Sequence, residues 1–273
     1  MTTLPPLAEL RRHVTEGKPL SASQKTALEG DVRKGARDLL AAVDKQHRAN
    51  RVEGQRLRRM LSFETSLWDA GILHVAGVDE AGMSPLAGPV SAAAVILRVG
   101  GRIPHVDDSK KLSPHERRRL AVIIKDEAVA YAVCLVHHGE IDAVNIYHAG
   151  LLAMSRAVRA LLTAPQHLLV DARTLRDHET PQQGIIKGDA KSLSIAAASI
   201  LAKTTRDAHM EEMDLRYPGY GFAQHKGYPV KAHYEALARL GPCPIHRLSF
   251  PSVRDGRATG VPTTAQQALA FVP

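Results

Sequence analysis

The sequence predicts an α/β domain preceded by a helical segment, and three patterns indicate this fold class. Between residues 6 and about 70, apolar residues recur at the spacing of one helix face. From about residue 73 the pattern changes to short apolar runs that are typical of strands. These runs then alternate with helical stretches, as in a sheet that is covered by helices.

The N-terminal segment, residues 1–70, is expected to form helices. Its apolar face is made of residues that have charged side chains between them: Leu28, Val32, Ala36, Leu39, Leu40 and Val43. Ser21 or Ser23 would cap the start of a helix, and Gly71 closes the segment.

The α/β domain, residues 71–250, is expected to alternate strands with helices. The predicted strands are 75–78, 91–99, 130–137 and 167–170. The predicted helices are 113–128, 146–162, 191–214 and 231–240. Ser113, Pro114 and Glu116 open the first of these helices with a capping-box pattern. The tail, residues 251–273, is rich in Pro, Gly, Thr and Arg and is expected to be mobile.

Composition and charge favour a protein that binds nucleic acid. The 273 residues carry a formal net charge of +8 and an isoelectric point near 9.6, which favours an acidic partner. Cys134 and Cys243 are the two cysteines, and they argue against a disulfide framework or a zinc site. The N-terminus has no signal pattern, and no apolar run approaches the ~20 residues of a membrane span. We expect a soluble, cytoplasmic monomer.

Four carboxylates lie where strands end or where turns follow them. Asp79 and Glu80 end a short apolar run, just before a turn rich in Gly and Pro. Asp171 and Asp189 follow two further apolar runs, and Lys187 would contact a phosphate or balance the charge of Asp189. Adjacent carboxylates repel one another unless cations neutralise them, and Mg²⁺ and Mn²⁺ prefer such oxygen ligands. In a basic protein, the pattern predicts a divalent-metal site for phosphodiester chemistry.

Each of these features also has a simpler interpretation. An acid after a strand is often a solvated turn residue or a helix cap, and spacing alone does not show that the four converge. Lys110 and Lys111 beside Ser109 suit phosphate contacts, but such a pair is often solvated surface. The 225–228 segment combines His225 and Lys226 with Tyr228, whose ring can stack on a sugar or base.

Six segments together resemble ribonuclease HII over about residues 72–250. They are 76–82, 85–90, 108–113, 187–190, 196–203 and 220–228. Several long motifs occur in the order that the family has, so the resemblance is specific. The N-terminal helical segment also resembles an extension found in some bacterial members.

The resemblance implies a ribonuclease H-like fold, in which a mixed five-stranded sheet is flanked by helices and followed by a helical C-terminal part. It implies Mg²⁺- or Mn²⁺-dependent hydrolysis of RNA that is paired with DNA. The expected cut lies on the 5′ side of a single ribonucleotide in duplex DNA, and it leaves a 3′-hydroxyl and a 5′-phosphate. The expected partners are therefore RNA/DNA hybrids and ribonucleotide-containing duplex DNA.

The resemblance also assigns roles to individual residues. The family's four metal-site acids fall on Asp79, Glu80, Asp171 and Asp189. Its junction-sensing tyrosine falls on Tyr228, whose ring would pack on the deoxyribose that follows the ribonucleotide. A 2′-hydroxyl at that sugar would crowd the ring, which gives a physical basis for preferring an RNA-to-DNA step.

The turn at residues 82–84 departs from the Gly-Arg-Gly that the family usually has. In the family this turn reads the 2′-hydroxyl of the ribonucleotide, largely through backbone groups. Gly82 is kept, Met83 removes a cation, and Ser84 adds a β-carbon where glycine allows close approach. We keep all three as expected substrate contacts. Ala172 and Val230 stand where Gly and Thr are more usual.

The tail carries a pattern that is typical of clamp-binding peptides. Gln266, Leu269 and Phe271 fit the form Gln-x-x-Leu-x-Phe, which resembles peptides that bind bacterial sliding clamps. The alternative is that the tail packs on its own domain. Clamp binding is thus a hypothesis for this segment.

The sequence leaves three functions open. The leading one is an endonuclease directed to ribonucleotides in duplex DNA. The second is a general RNA/DNA-hybrid nuclease whose junction specificity is relaxed by the altered turn. The third is a non-catalytic hybrid-binding protein, which the presence of all four acids argues against.

Overall fold

The computed structural model of the protein describes residues 6–16, 18 and 20–254. They form two compact units, of which the first ends at Arg58 and the second begins at Arg59. The domain boundaries predicted at residues 70 and 250 stay predictions. Gln266, Leu269 and Phe271, on which the clamp-binding hypothesis rests, lie outside the described residues.

The first unit is helical, as its periodicity predicts. Its helices are α1 (Leu7–Thr15), α2 (Ala22–Glu29) and α3, which begins in this unit (Lys34–Met60). Ser21 caps α2, because its hydroxyl accepts from the backbone N–H of Gln24 while the Gln24 side chain accepts from the N–H of Ser21. A small apolar core includes Leu10, Leu28, Ala36, Leu39 and Val43. Val32, which was predicted to share this face, is 85% exposed because it lies in the connection between α2 and α3.

A mixed five-stranded sheet lies at the centre of the second unit. Its strands are β1 (Val75–Ala81), β2 (Val90–Leu97), β3 (Ala128–Val136), β4 (His167–Asp171) and β5 (Gln182–Ile185). Their order is β3-β2-β1-β4-β5, and β1 pairs antiparallel with β2 but parallel with β4. The α/β fold class with a ribonuclease H-like sheet is thereby confirmed.

Helices flank this sheet. They are α4 (Ser62–Asp69), α5 (Pro114–Glu127), α6 (His138–Val144), α7 (Ile146–Arg159), α8 (Leu193–Arg216), α9 (Phe222–His225), α10 (Lys231–Leu240) and α11 (Pro251–Arg254). All eight residues of β2 are buried, which explains why this strand reads as a continuous apolar run. In the part of the chain that the structure describes, no helix is long and apolar enough to cross a membrane.

The two faces of β1 contact different helices, because side chains alternate along a strand. Ala76 and Val78 share a core cluster with Met154 of α7. Gly77 faces α8, and a β-carbon at this position would overlap the backbone of Ser194. Glycine is therefore required here, since it lets the start of α8 lie directly against β1. This close approach brings the turn that precedes α8 towards the acidic end of β1.

Candidate active site

Three of the four predicted acids lie at one end of the central strands. Asp79 and Glu80 are in the second half of β1, and Asp171 is the last residue of β4. The two strands are parallel and Val78 is paired with Val170, so Asp79 and Asp171 occupy neighbouring positions. Asp79 is buried, with 4% of its surface exposed, and it accepts from the backbone N–H of Glu80 at 2.7 Å.

The fourth acid, Asp189, reaches the same place through a short turn. It lies in a 3₁₀ turn, Gly188–Ala190, directly before α8, and it is buried. The N–H of Gly188 donates to Oδ1 of Asp171 at 2.6 Å, which ties this turn to the end of β4. Lys187 takes a left-handed conformation (φ 57°) that redirects the chain here, and its side chain is exposed. The turn therefore brings Asp189 to the strand ends.

The four carboxylates lie close enough to influence one another electrostatically. Burial raises the pKa of Asp79 well above its ordinary value, and the charges of Glu80, Asp171 and Asp189 raise it further, against a hydrogen bond from Ser199. Burial also raises the pKa of Glu80 and that of Asp171. Such shifts are expected where like charges are confined together away from water.

Two cations partly balance these charges. Nζ of Lys110 lies 3.2 Å from Oδ2 of Asp189. Nη2 of Arg173 lies 3.6 Å from Oε1 of Glu80. Arg117 positions the loop that carries Lys110, since its Nη1 donates to the carbonyls of Ser109 at 2.9 Å and Leu112 at 2.7 Å. The predicted phosphate contact Lys110 is thus part of the acidic site.

The donor chemistry of this site suits a hard divalent cation. Every acid offers carboxylate oxygens, which Mg²⁺ and Mn²⁺ prefer. Oε2 of Glu80 is buried and has no hydrogen-bond partner among the described residues. A buried oxygen without a partner is unfavourable, and a bound cation would provide one. Among residues 6–16, 18 and 20–254, no three His, Cys, Asp or Glu side chains already stand in ligating geometry. The residues present fit a divalent cation by their chemistry, and ligation requires their side chains to adjust.

Two buried arginines hold the segment from Gly82 to Pro89, and sequence reasoning did not assign either of them to it. Arg206 donates to the carbonyls of Ala87 (3.1 Å), Pro89 (2.9 Å) and Lys226 (3.0 Å). Arg247 donates to those of Gly82 (2.7 Å), Met83 (3.0 Å) and Gly88 (3.0 Å). Both side chains are fully buried. A buried guanidinium whose N–H groups donate to carbonyl oxygens fixes the path of the loop around it.

This support holds the backbone of the turn through contacts that do not involve the side chain at position 83. Gly82 has φ +92°, and a β-carbon there would overlap the Arg206 side chain. The carbonyls of Gly82 and Met83 are both engaged by Arg247. The Met83 side chain packs against the main core cluster, whereas Ser84 is exposed.

Tyr228 lies at a basic cleft of about 510 Å³, which Lys226 and His225 also line. Nζ of Lys203 is 5.1 Å and Cζ of Arg206 is 5.6 Å from the centre of the Tyr228 ring. Nζ of Lys226 lies 2.8 Å from a carboxylate oxygen of Glu211. The cleft therefore places an aromatic ring among cations, as the sequence pattern at 225–228 suggests.

The predicted substrate contacts do not all lie at the acids. Lys111 is exposed and pairs with Asp107 at 3.1 Å. Its ion pair is thus with a residue other than the four site carboxylates. Arg117, Arg173, Arg206 and Arg247 carry contacts that motif spacing does not reveal. Local sequence gives no clear signal for the two buried ones, because Arg206 directly follows Lys203, Thr204 and Thr205, and Arg247 directly follows His246.

The comparisons with known proteins agree along nearly the whole chain. The ribonuclease HII family model matches residues 76–253, and that of the ribonuclease HII N-terminal domain matches residues 9–68. A ribonuclease HII of Myxococcus xanthus is 55% identical over 269 residues, covering 97% of this chain and 92% of that protein. One of Anaeromyxobacter sp. is 57% identical over 250 residues, covering 91% of this chain and 79% of that protein.

The fold agrees with these sequence matches. The crystal structure of ribonuclease H2 from Pyrococcus horikoshii OT3 superposes with a TM-score of 0.57 at 28% identity, covering 67% of this chain and 96% of that one. With family matches to both parts of the sequence and a shared sheet, the chain belongs to the ribonuclease HII family.

Proposed function

We propose that the protein is an endonuclease that hydrolyses the RNA strand of RNA/DNA hybrids, including the bond 5′ of a single ribonucleotide in duplex DNA. The observation that carries this proposal is the convergence of four carboxylates at one end of the sheet, where burial and neighbouring carboxylates raise the pKa values of Asp79, Glu80 and Asp171. Membership of the ribonuclease HII family and the net charge of +8 support it.

In this proposal, Asp79, Glu80, Asp171 and Asp189 hold Mg²⁺ or Mn²⁺. When bound there, two such ions would activate a water and stabilise the leaving oxygen of an in-line displacement, which yields a 3′-hydroxyl and a 5′-phosphate. The Gly188 N–H orients Asp171 through its 2.6 Å hydrogen bond, so this carboxylate is held before the substrate arrives. Lys110 keeps Asp189 charge-balanced and can then turn to a phosphate of the scissile strand.

Substrate selection is proposed to come from the turn and the tyrosine. The backbone of Gly82, Met83 and Ser84 would face the ribonucleotide, in a shape fixed by Arg247 and not by the residue 83 side chain. The Tyr228 ring would pack on the following deoxyribose. The cations of its cleft, with Lys226 among them, would hold backbone phosphates, and His225 would add a neutral hydrogen-bonding group because burial lowers its pKa. Lys111 and Lys187, both exposed, would add contacts further along the duplex.

Cleavage of three end-labelled duplexes tests the proposal. One carries a single ribonucleotide in DNA, one is a full RNA/DNA hybrid and one is all DNA, each with Mg²⁺ or with Mn²⁺. We expect cutting 5′ of the single ribonucleotide and within the hybrid, none in DNA, and loss of both activities in Asp79→Asn. Failure to cut either ribonucleotide-containing duplex would contradict the proposal and leave a binding protein as the alternative.

A relaxed hybrid nuclease is the second candidate, and the sequence of the turn favours it. Met83 carries no charge, and the Ser84 side chain occupies space that a glycine would leave open. Under this alternative, the full hybrid is cut and the single ribonucleotide is not. A Met83→Arg, Ser84→Gly double variant would then gain junction cleavage, whereas under the leading proposal it would change the ratio of the two activities little.

A further inference from the structure

Arg173 has hydrogen-bonding capacity that the described residues leave unused. Its side chain is 21% exposed, and it lies beside Glu80 with Cζ 4.8 Å from the centre of the Tyr147 ring. The closest approach to Glu80 is 3.6 Å, which is an ion pair and not a hydrogen bond. Nη1 is buried and has no hydrogen-bond partner in the described part of the chain.

The same guanidinium adjoins the residue at which this chain departs from its family. A β-carbon built on Gly150 of α7 would lie 3.0 Å from Sδ of Met83 and 3.4 Å from Nη1 of Arg173. The ends of the two side chains thus meet at one glycine. Position 83, where the family usually has arginine, contributes an uncharged thioether, and position 173 contributes the cation.

An anionic ligand would complete this arrangement. A guanidinium carries five donors in a planar fork that matches the oxygens of a carboxylate or a phosphate. Glu80 does not satisfy the fork at 3.6 Å, and the Tyr147 ring holds the cation without accepting its N–H groups. Leaving Nη1 buried and unpaired is costly, so the partly exposed guanidinium would gain a partner by turning towards a phosphate that arrives with the substrate.

We propose that Arg173 binds a backbone phosphate of the ribonucleotide-containing strand beside the four acids, and that it supplies the positive charge that Met83 does not. The inference rests on the proposed function, because the phosphate belongs to that substrate. In the absence of substrate Arg173 balances Glu80. On binding, its fork donates to non-bridging phosphate oxygens.

Binding measured without cleavage tests this assignment. The probe is a fluorescent DNA duplex with a single ribonucleotide, titrated by anisotropy in EDTA over a range of salt concentrations. Losing one phosphate contact should reduce the slope of log affinity against log salt by about 0.9. We expect this reduction in Arg173→Gln. Arg173→Lys should keep the slope but bind more weakly, because an ammonium cannot donate as a fork.

Arg98→Gln is the matched control. It removes the same charge from an exposed residue just after β2, at the end of the sheet opposite the acids, because β2 runs antiparallel to β1. Its slope should equal that of the wild type. Met83→Arg in the Arg173→Gln background should restore the slope, since both side chains end at Gly150.

Two outcomes would overturn the assignment, and they differ in what else they remove. If Arg173→Gln keeps the wild-type slope while the wild type binds the duplex, Arg173 only balances Glu80 and the proposed function stands. If the wild type binds no ribonucleotide-containing duplex, the proposed function fails and the assignment fails with it. A thermal melt of each variant checks that the fold is intact.

Discussion

Asp79 is held where its own negative charge is unfavourable. Burial and three neighbouring carboxylates raise its pKa above the value that it has in the unfolded chain. Between those two pKa values the native state binds more protons, so stability falls as the pH rises through this window. Asp79→Asn should therefore raise the melting temperature at neutral pH without divalent ions, while it abolishes cleavage. A gain of about 1 kcal/mol corresponds to roughly 2–4 °C in a domain of this size.

Asp177→Asn is the control of opposite sign for this prediction. Burial alone would raise the pKa of Asp177, but hydrogen bonds that include one from Ser155 and the charge of Arg159 outweigh it and lower the pKa. Its ionised form is therefore stabilising, and the asparagine variant should melt at a lower temperature. A lower melting temperature for Asp79→Asn in EDTA would show that its charge is already balanced.

Ala172 occupies a backbone conformation that favours glycine. Its φ is +50°, its side chain is exposed, and its N–H donates to the carbonyl of Ile185 at 3.0 Å. An L-residue in the left-handed region costs about 1–2 kcal/mol, and the greater freedom of glycine in the unfolded chain offsets roughly half of this. Ala172→Gly should therefore stabilise the fold by up to about 1 kcal/mol, measured by urea unfolding.

Ala70→Gly separates this effect from a general effect of glycine. Ala70 is also exposed, but its φ is −83° at the end of α4. Glycine there relieves no strain, so this variant should lose about 0.5–1 kcal/mol. Equal changes in the two variants would exclude backbone strain at Ala172.

At the scale of elements, Glu64 joins α4 to the start of α8. Its fully buried Oε1 accepts from the hydroxyl of Ser192 (2.6 Å) and from the N–H (2.9 Å) and hydroxyl (2.7 Å) of Ser194. Glu64→Ala would leave the Ser194 N–H and one of the two hydroxyls without an acceptor, since the hydroxyls can pair only with each other at 3.1 Å, and this should cost about 3 kcal/mol. Thermal unfolding followed by the fluorescence of Trp68, the single tryptophan, measures the loss.

Glu64→Gln tests whether the acceptor or only the volume matters. Its amide oxygen can still accept from both serines, so it should lose much less stability than the alanine variant. Because Asp189 lies just before α8, the alanine variant should also bind Mn²⁺ more weakly. Unchanged melting of Glu64→Ala would show that this contact does not hold α8.

Sequence periodicity predicted the elements whose burial is one-sided or complete. The α8 helix was expected at 191–214 and spans Leu193–Arg216. The α7 helix was expected at 146–162 and spans Ile146–Arg159. β1 was ended too early, at residue 78, because Asp79 and Glu80 looked like turn residues. Pairing with β2 carries the strand through both acids. β5 was missed because Gln182–Ile185 is a polar edge strand with no apolar alternation.

The residues of the candidate site also fall into two groups, those that local sequence predicts and those that it does not. Strand-end acids could be found from local sequence, since an acid after an apolar run is a local pattern. Lys110 was predicted from local sequence as a phosphate contact, but its pairing with Asp189 was not. Arg173 and Arg247 could not be found, because they come from parts of the chain far from the acids and the turn that they contact. Their roles depend on tertiary contacts, for which one sequence contains no spacing signal.

At the scale of the whole molecule, two buried groups of titratable side chains affect acid stability in opposite directions. The carboxylates at the strand ends have raised pKa values, so acidification relieves their repulsion. The second group is a histidine pair, in which Nε2 of His233 and Nε2 of His246 lie 3.1 Å apart. Burial lowers the pKa of each histidine to about 4. The change in wild-type stability on acidification is therefore the sum of a gain from the carboxylates and a loss from the histidines.

The histidine contribution can be separated by comparing two variants. A histidine whose pKa falls from 6.5 to about 4 on folding binds fewer protons in the native state, so its stability contribution is lost as the pH falls through that range. The loss approaches about 3 kcal/mol for one such group. Asp79→Asn removes part of the opposing gain, so its stability should fall more steeply than that of the wild type between pH 6.5 and 4. Adding His246→Asn should flatten the curve, as measured by urea unfolding with Trp68 fluorescence. Parallel curves for the single and double variants would show that His246 is not the titrating group.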